Sequence, residues 1–214
     1  MSCIPYGNGI GGIFMSTKKA NLYRLTLVSM FVAIMLVMNF TPLGYISTGM
    51  FSITLMTIPV ALGAACAGML GGTILGFVFG LSSFLQAFGI GFMVDPMAAT
   101  LFNENAVYYT LTCFVPRLTA GFLSGYIFHL FEKHGKINIF AFLSSAAVVP
   151  VLNTLLFMSF YAFFYKDSIL GGASVMSVVF SALTINFVIE FAVTLISASA
   201  ISQIIYKTVK GLRK

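Results

Sequence analysis

"FSITLMTIPVALGAACAGMLGGTILGFVFGLSSF" (residues 51–84) carries no charged side chain. It lies inside a longer run, 25–94, that has no Asp, Glu, Lys or Arg at all. A transmembrane helix needs about 20 mostly apolar residues. The run therefore holds more than one span, and its turns are polar without being charged. Within the quoted stretch, "GAACAGMLGG" (63–72) separates a short span at 52–66, broken by Pro59, from a second at 68–88. Gly68, Gly72, Gly76 and Gly80 recur every fourth residue and form one bare stripe on a helix. In lipid, small residues let helix backbones approach closely, and packing replaces the missing hydrophobic drive. The stripe predicts tight packing inside one chain.

The rest of the sequence agrees. The 214 residues are 59% hydrophobic and 7% charged, against roughly 25% charged in a soluble domain. Four further spans complete the reading: about 23–40, ended by Thr41-Pro42, then 106–131, 138–165 and 175–206. The fold class expected is all-α, an integral membrane six-helix bundle. Lys and Arg in short loops set the orientation. With the N-terminus inside, the inner segments hold Lys18, Lys19, Arg24, Lys133, Lys136, Lys207, Lys210, Arg213 and Lys214, and the outer ones only Lys166. Both termini are thus expected in the cytoplasm. The net charge of +6 does not point to nucleic acid, because the cations sit at the ends of apolar runs. Residues 1–19 read as an extension, either a start misassigned upstream of Met15 or an interfacial arm. Residues 20–210 form the membrane domain and 211–214 a basic tail.

Two outer loops, "TPLGYISTGMFS" (41–52) and "GIGFMVDPMAATLFNENA" (89–106), are long and semi-apolar. Such loops serve as lids or binding loops; the alternative is a plain connector. Cys3, Cys66 and Cys113 are far apart, with neither metal-ligand spacing nor a disulfide framework. No metal site, cofactor or catalytic motif is expected. No Walker sequence occurs, so ATP hydrolysis by a P-loop is not this chain's own.

One cation stands apart. In "TCFVPRLTAGFLSGYIF" (112–128), Arg117 follows Pro116 with no acidic residue within ten positions. It falls roughly 16 Å from the outer end of its span, near mid-bilayer. Charge at that depth is costly unless paired or wetted, and marks a site. Asn153, Asn186 and Glu190 fall at comparable depth. Three readings stand: a structural ion pair of Arg117 with Glu190, a cavity in which Arg117 binds an anionic or strongly polar solute, or Arg117 facing a partner protein.

Taken together, 51–84, "VPRLTAGFLSGYIF" (115–128) and "VPVLNTLLFM" (149–158) give the chain a resemblance over about residues 20–210. It resembles the S-components, the substrate-capturing membrane subunits of energy-coupling factor (ECF) transporters, and looks most like their pantothenate-type members. The family's order is similar: a strand-like lead into a Pro-broken span 2, a Gly-rich span 3, a Pro-Arg span 4 and a Pro-x-x-Asn-Thr span 5. The resemblance implies a vitamin bound near the outer face under the two long loops. It also implies partnership with a transmembrane T-component and two cytoplasmic ATPases in a bacterial plasma membrane. Ser29 and Ala33 stand where the family usually carries an Ala-x-x-x-Ala docking pair. For pantothenate, Arg117 is expected on the carboxylate, with Asn153, Asn186, Thr48 and Asn103 on the remaining polar groups. Tyr45, Tyr108 and Phe92 are expected over the dimethyl portion. Folate or cobalamin S-components and a free-standing secondary carrier are the alternatives.

Overall fold

The computed structural model describes residues 17–47, 52–92, 96–133, 139–165 and 187–200. Helix α1 is Thr17–Asn39, followed by strands β1 (Tyr45–Ser47) and β2 (Ser52–Thr54). Helix α2 (Thr57–Leu85) ends in a 3-10 turn at Gln86–Phe88. Helices α3 (Pro96–Glu104), α4 (Ala106–Lys133) and α5 (Ile139–Phe164) follow, and then α6 (Phe187–Ala200). Among the described residues three stretches, Thr57–Phe88, Ala106–Phe131 and Ile139–Phe164, are long and apolar enough to cross a membrane. The extension 1–16, Thr48, Asn186 and the tail 201–214 lie outside the described residues.

The two spans expected to either side of 63–72 are two helical limbs that meet at Gly68, where the chain doubles back. Gly68 has φ +79° and ψ −167°, a backbone state that a Cβ disfavours. A Cβ on Gly72 would lie 2.8 Å from that of Ala64, and one on Gly63 would strike Leu75. In a straight helix, residues 64 and 72 are about 12 Å apart, so the limbs 57–67 and 69–85 run against each other. Pro59 does not break the first limb. It sits in the opening turn, where a helix has no use for its missing N–H.

The glycine stripe of the second limb is a seam with α4. Gly72 faces the Gly121 carbonyl, Gly76 the Arg117 carbonyl, and Gly80 the Cys113 carbonyl and the Phe114 ring. Gly125 abuts Met69. The helices are antiparallel, and at Gly72 and Gly76 backbone meets backbone with no side chain between. Next to this seam, α4 and α5 are clasped by hydroxyls. Ser124 and Ser145 lie 2.9 Å apart, and each donates to the other's carbonyl at 2.9 Å. Helix α6 buries Glu190, Thr194 and Ala198, one turn apart, and Thr194 meets Thr57 of α2 at 3.0 Å.

The segments between the long helices are structured: a short two-stranded pair and the helix α3 join the helical bundle. β1 and β2 pair antiparallel with Tyr45 opposite Thr54. The 89–106 segment contains α3, so it is no plain connector. Buried Ala98 and Leu101 pack against Tyr109, Cys113, Tyr161 and Tyr165. The Tyr165 hydroxyl donates to the carbonyls of Leu101 and Asn105 at 3.3 and 3.4 Å. The Asn105 side chain then caps α4, accepting from the N–H groups of Val107 and Tyr108 at 3.1 Å each.

Candidate functional site

Arg117 is 7% exposed on α4. Its position follows from its neighbours in sequence. Pro116 has no N–H, so the Thr112 carbonyl loses its helical donor. Arg117 Nη1 takes that place, donating to Thr112 at 3.2 Å and to Cys113 at 2.8 Å. The guanidinium carbon lies 4.9 Å from the ring centre of Phe79 and 5.3 Å from that of Phe157. Each ring contributes about 2 kcal/mol where water is excluded. Gly76 permits this by letting α2 approach the Arg117 backbone, which brings Phe79 within reach. The side chain is thus fixed from three sides by α4, α2 and α5. Nε is buried and has no partner. With Nη1 spent, the Nε–Nη2 edge remains, and that edge matches a carboxylate in bidentate fashion.

Asn153 is on α5, one turn before Phe157 and on the same face. It is 7% exposed, and its Oδ1 has no partner. Glu190 of α6 is 4% exposed. Its Oε1 accepts from the Thr54 N–H at 2.8 Å, whereas Oε2 has no partner. The ion pair considered for Arg117 and Glu190 is not formed. Arg117 donates to backbone carbonyls and Glu190 accepts from a backbone N–H. Buried polar atoms without partners are rare and cost about 1–3 kcal/mol each.

Tyr45 closes the layer from above. Its hydroxyl lies 2.9 Å from Ser82 Oγ and 3.0 Å from Ser83 Oγ. Burial pushes its phenol above the ordinary value of 10, partly opposed by the Arg117 charge. Arg117, Asn153 and Tyr45 are therefore gathered on one buried region. Of the other expected site residues, those described are exposed. Tyr108 is exposed, its ring stacked on Phe164 at 4.4 Å. Asn103 is exposed on α3. Phe92 is exposed, and its N–H donates to the Asn39 carbonyl at 2.9 Å. Ser29 and Ala33 are exposed on α1.

Asn39 and Glu190 join the list of polar groups that the residue pattern did not assign to a ligand. Asn39 ends α1, is buried, and has an unpartnered Oδ1 facing Gly91. An Asn at a helix end ordinarily reads as a terminus, and only the fold brings Gly91 over it.

A "Pantothenic acid transporter PanT" of Lactococcus lactis subsp. cremoris (strain MG1363) is 25% identical over 150 residues, which is 67% of this chain and 76% of that protein. The sequence model of the family described as "ECF transporter, substrate-specific component" matches residues 23–206. The chain belongs to the ECF transporter substrate-specific component family.

Proposed function

We propose that the chain captures pantothenate at the outer face of a bacterial plasma membrane and delivers it inward with a T-component and two ATPase subunits. The observation that carries the ligand reading is the open Nε–Nη2 edge of Arg117, a buried and otherwise fixed cation. One such edge suits one carboxylate. Folate, with two carboxylates, calls for a second cation. The relative named as a pantothenic acid transporter supports the same ligand.

In this reading α1, the two limbs of α2, α4, α5 and α6 are the six spans, with both termini inside. Asn153 serves the amide of the ligand, Tyr45 covers its dimethyl portion, and Asn186 and Thr48 complete the polar contacts. Phe92, Asn103 and Tyr108 belong to the outer rim through which the ligand passes. Ser29 and Ala33, exposed on α1, dock the T-component. ATP is hydrolysed by the partners.

The test is equilibrium binding of labelled pantothenate to the purified chain in detergent, with folate, riboflavin and cobalamin as competitors. Tight binding displaced only by unlabelled pantothenate is expected. Displacement by another vitamin would keep the capture role and replace the ligand. Absence of binding to all four would return weight to a free-standing carrier.

A further inference from the structure

We infer that Glu190 is a specificity-determining residue of this same site, its free carboxylate oxygen accepting a hydrogen bond from a hydroxyl of the substrate. The inference rests on the anion-binding reading of Arg117 and narrows the substrate class to hydroxylated monocarboxylates.

The two oxygens of Glu190 have different duties. Oε1 holds the Thr54 N–H at 2.8 Å, which fixes the side chain and satisfies a strand N–H at membrane depth, where no water would do so. Oε2 is equally buried and has nothing. A carboxylate oxygen only accepts, so its complement is a donor. Arg117 presents the opposite demand, since its free edge only donates. Thr54, which Glu190 holds, is the cross-strand partner of Tyr45. The Tyr45 hydroxyl meets Ser82 and Ser83, one turn along α2 from the Phe79 ring on which the Arg117 guanidinium rests. A single small molecule bridging this layer has to be anionic at one end and carry an O–H donor further along. A simple aliphatic acid would leave Oε2 an orphan. A dicarboxylate would set a second negative charge against Glu190. Discrimination of this kind is strong, because the mismatch leaves a buried charge without its partner.

The competing explanation gives Glu190 a structural role only, as the anchor of Thr54. That role needs one acceptor, and the carbonyl oxygen of glutamine supplies it. Glu190→Gln therefore separates the two, because it turns the free oxygen into an N–H donor and keeps the anchor. The experiment measures affinities of the full chain in detergent for pantothenate and for its dideoxy analogue, in which both hydroxyls are replaced by hydrogen. Wild type is expected to prefer pantothenate by about 10–100-fold, the worth of one hydrogen bond to a charged group. In Glu190→Gln that preference is expected to vanish, with the melting temperature and the affinity for the dideoxy analogue unchanged. Should Glu190→Gln fail to fold, Glu190→Asp draws the charge back by one methylene and is expected to lose most of the preference. An unchanged preference in the folded variant, or equal affinities in wild type, overturns the inference and leaves pantothenate capture standing. No pantothenate binding by wild type overturns both.

Discussion

The guanidinium of Arg117 is held by two carbonyls and two rings, and one edge is left over. This predicts a split phenotype. Arg117→Met keeps the length of the side chain and removes the charge. Pantothenate binding is expected to fall by at least about 100-fold, the scale of a lost charged contact. The melting temperature is expected to hold or rise, because an apolar isostere relieves the desolvation cost of a buried ion. Binding and thermal unfolding of the same sample check this; a variant that melts lower and still binds would contradict it. At this scale the sequence was legible where charge was scarce. Arg117 stood out because nothing around it was charged, and Asn153 because it shared that depth. Tyr45 was named for its ring, but its hydroxyl partners Ser82 and Ser83 are too distant along the chain for any local pattern to pair them.

Two glycines of α2 fail for different reasons when given a side chain. At Gly72 a methyl would overlap the Gly121 carbonyl, which is backbone and cannot turn aside. Gly72→Ala is expected to cost about 1–3 kcal/mol by overpacking. At Gly68 nothing lies within 4 Å, but φ is +79°, and Gly68→Ala is expected to cost about 1–3 kcal/mol through backbone strain alone. Thermal unfolding in detergent reads both, and wild-type behaviour of either variant would refute its part. The four-residue period showed the seam in advance, since a period fixes which face is bare. It could not show the neighbour across the seam or the reversal at Gly68. Three-residue strands such as β1 and β2 are too short to carry a period, and α3 was hidden in a loop of mixed composition.

The tie between α3 and α5 carries its own test. Burial, with a lesser contribution from Glu104, pushes the Tyr165 phenol up to about 12. The fold thus favours the neutral phenol. That contribution is fully present below pH 10 and is lost as pH rises from 10 through about 12. Melting curves between pH 8 and pH 11 are expected to fall above pH 10 in wild type, and less so in Tyr165→Phe. Equal slopes for the two would refute the assignment. Tyr45, shifted in the same direction, titrates alike in both samples and cancels.

For the whole molecule, capture and delivery are assigned to different surfaces. The buried polar groups proposed for the ligand come from α2, α4, α5 and α6, whereas Ser29 and Ala33 are exposed on α1. Replacing both by Leu is expected to reduce co-purified T-component and ATPase subunits several-fold, with pantothenate affinity unchanged. Undiminished recovery of the partners would place docking elsewhere. The distribution of Lys and Arg predicts both termini inside, a reading that acts on whole loops and needs no tertiary detail. The composition of the ligand layer could not be read that way, since it depends on which helix faces meet.

The reversal at Gly68 also sets depth. The limb 57–67 rises about 16 Å, whereas 69–88 rises about 30 Å, so the first limb starts well below the rim reached by the second. The β1–β2 hairpin occupies that step, sunk beneath the rim and fastened by the Thr54 bond to Glu190 and by Tyr45 to Ser82 and Ser83. If the ligand lies below it, as proposed, release requires those few bonds to let go, while the glycine seam stays shut. Dwell time then belongs to the hairpin and affinity to the layer beneath, so the two can be tuned separately.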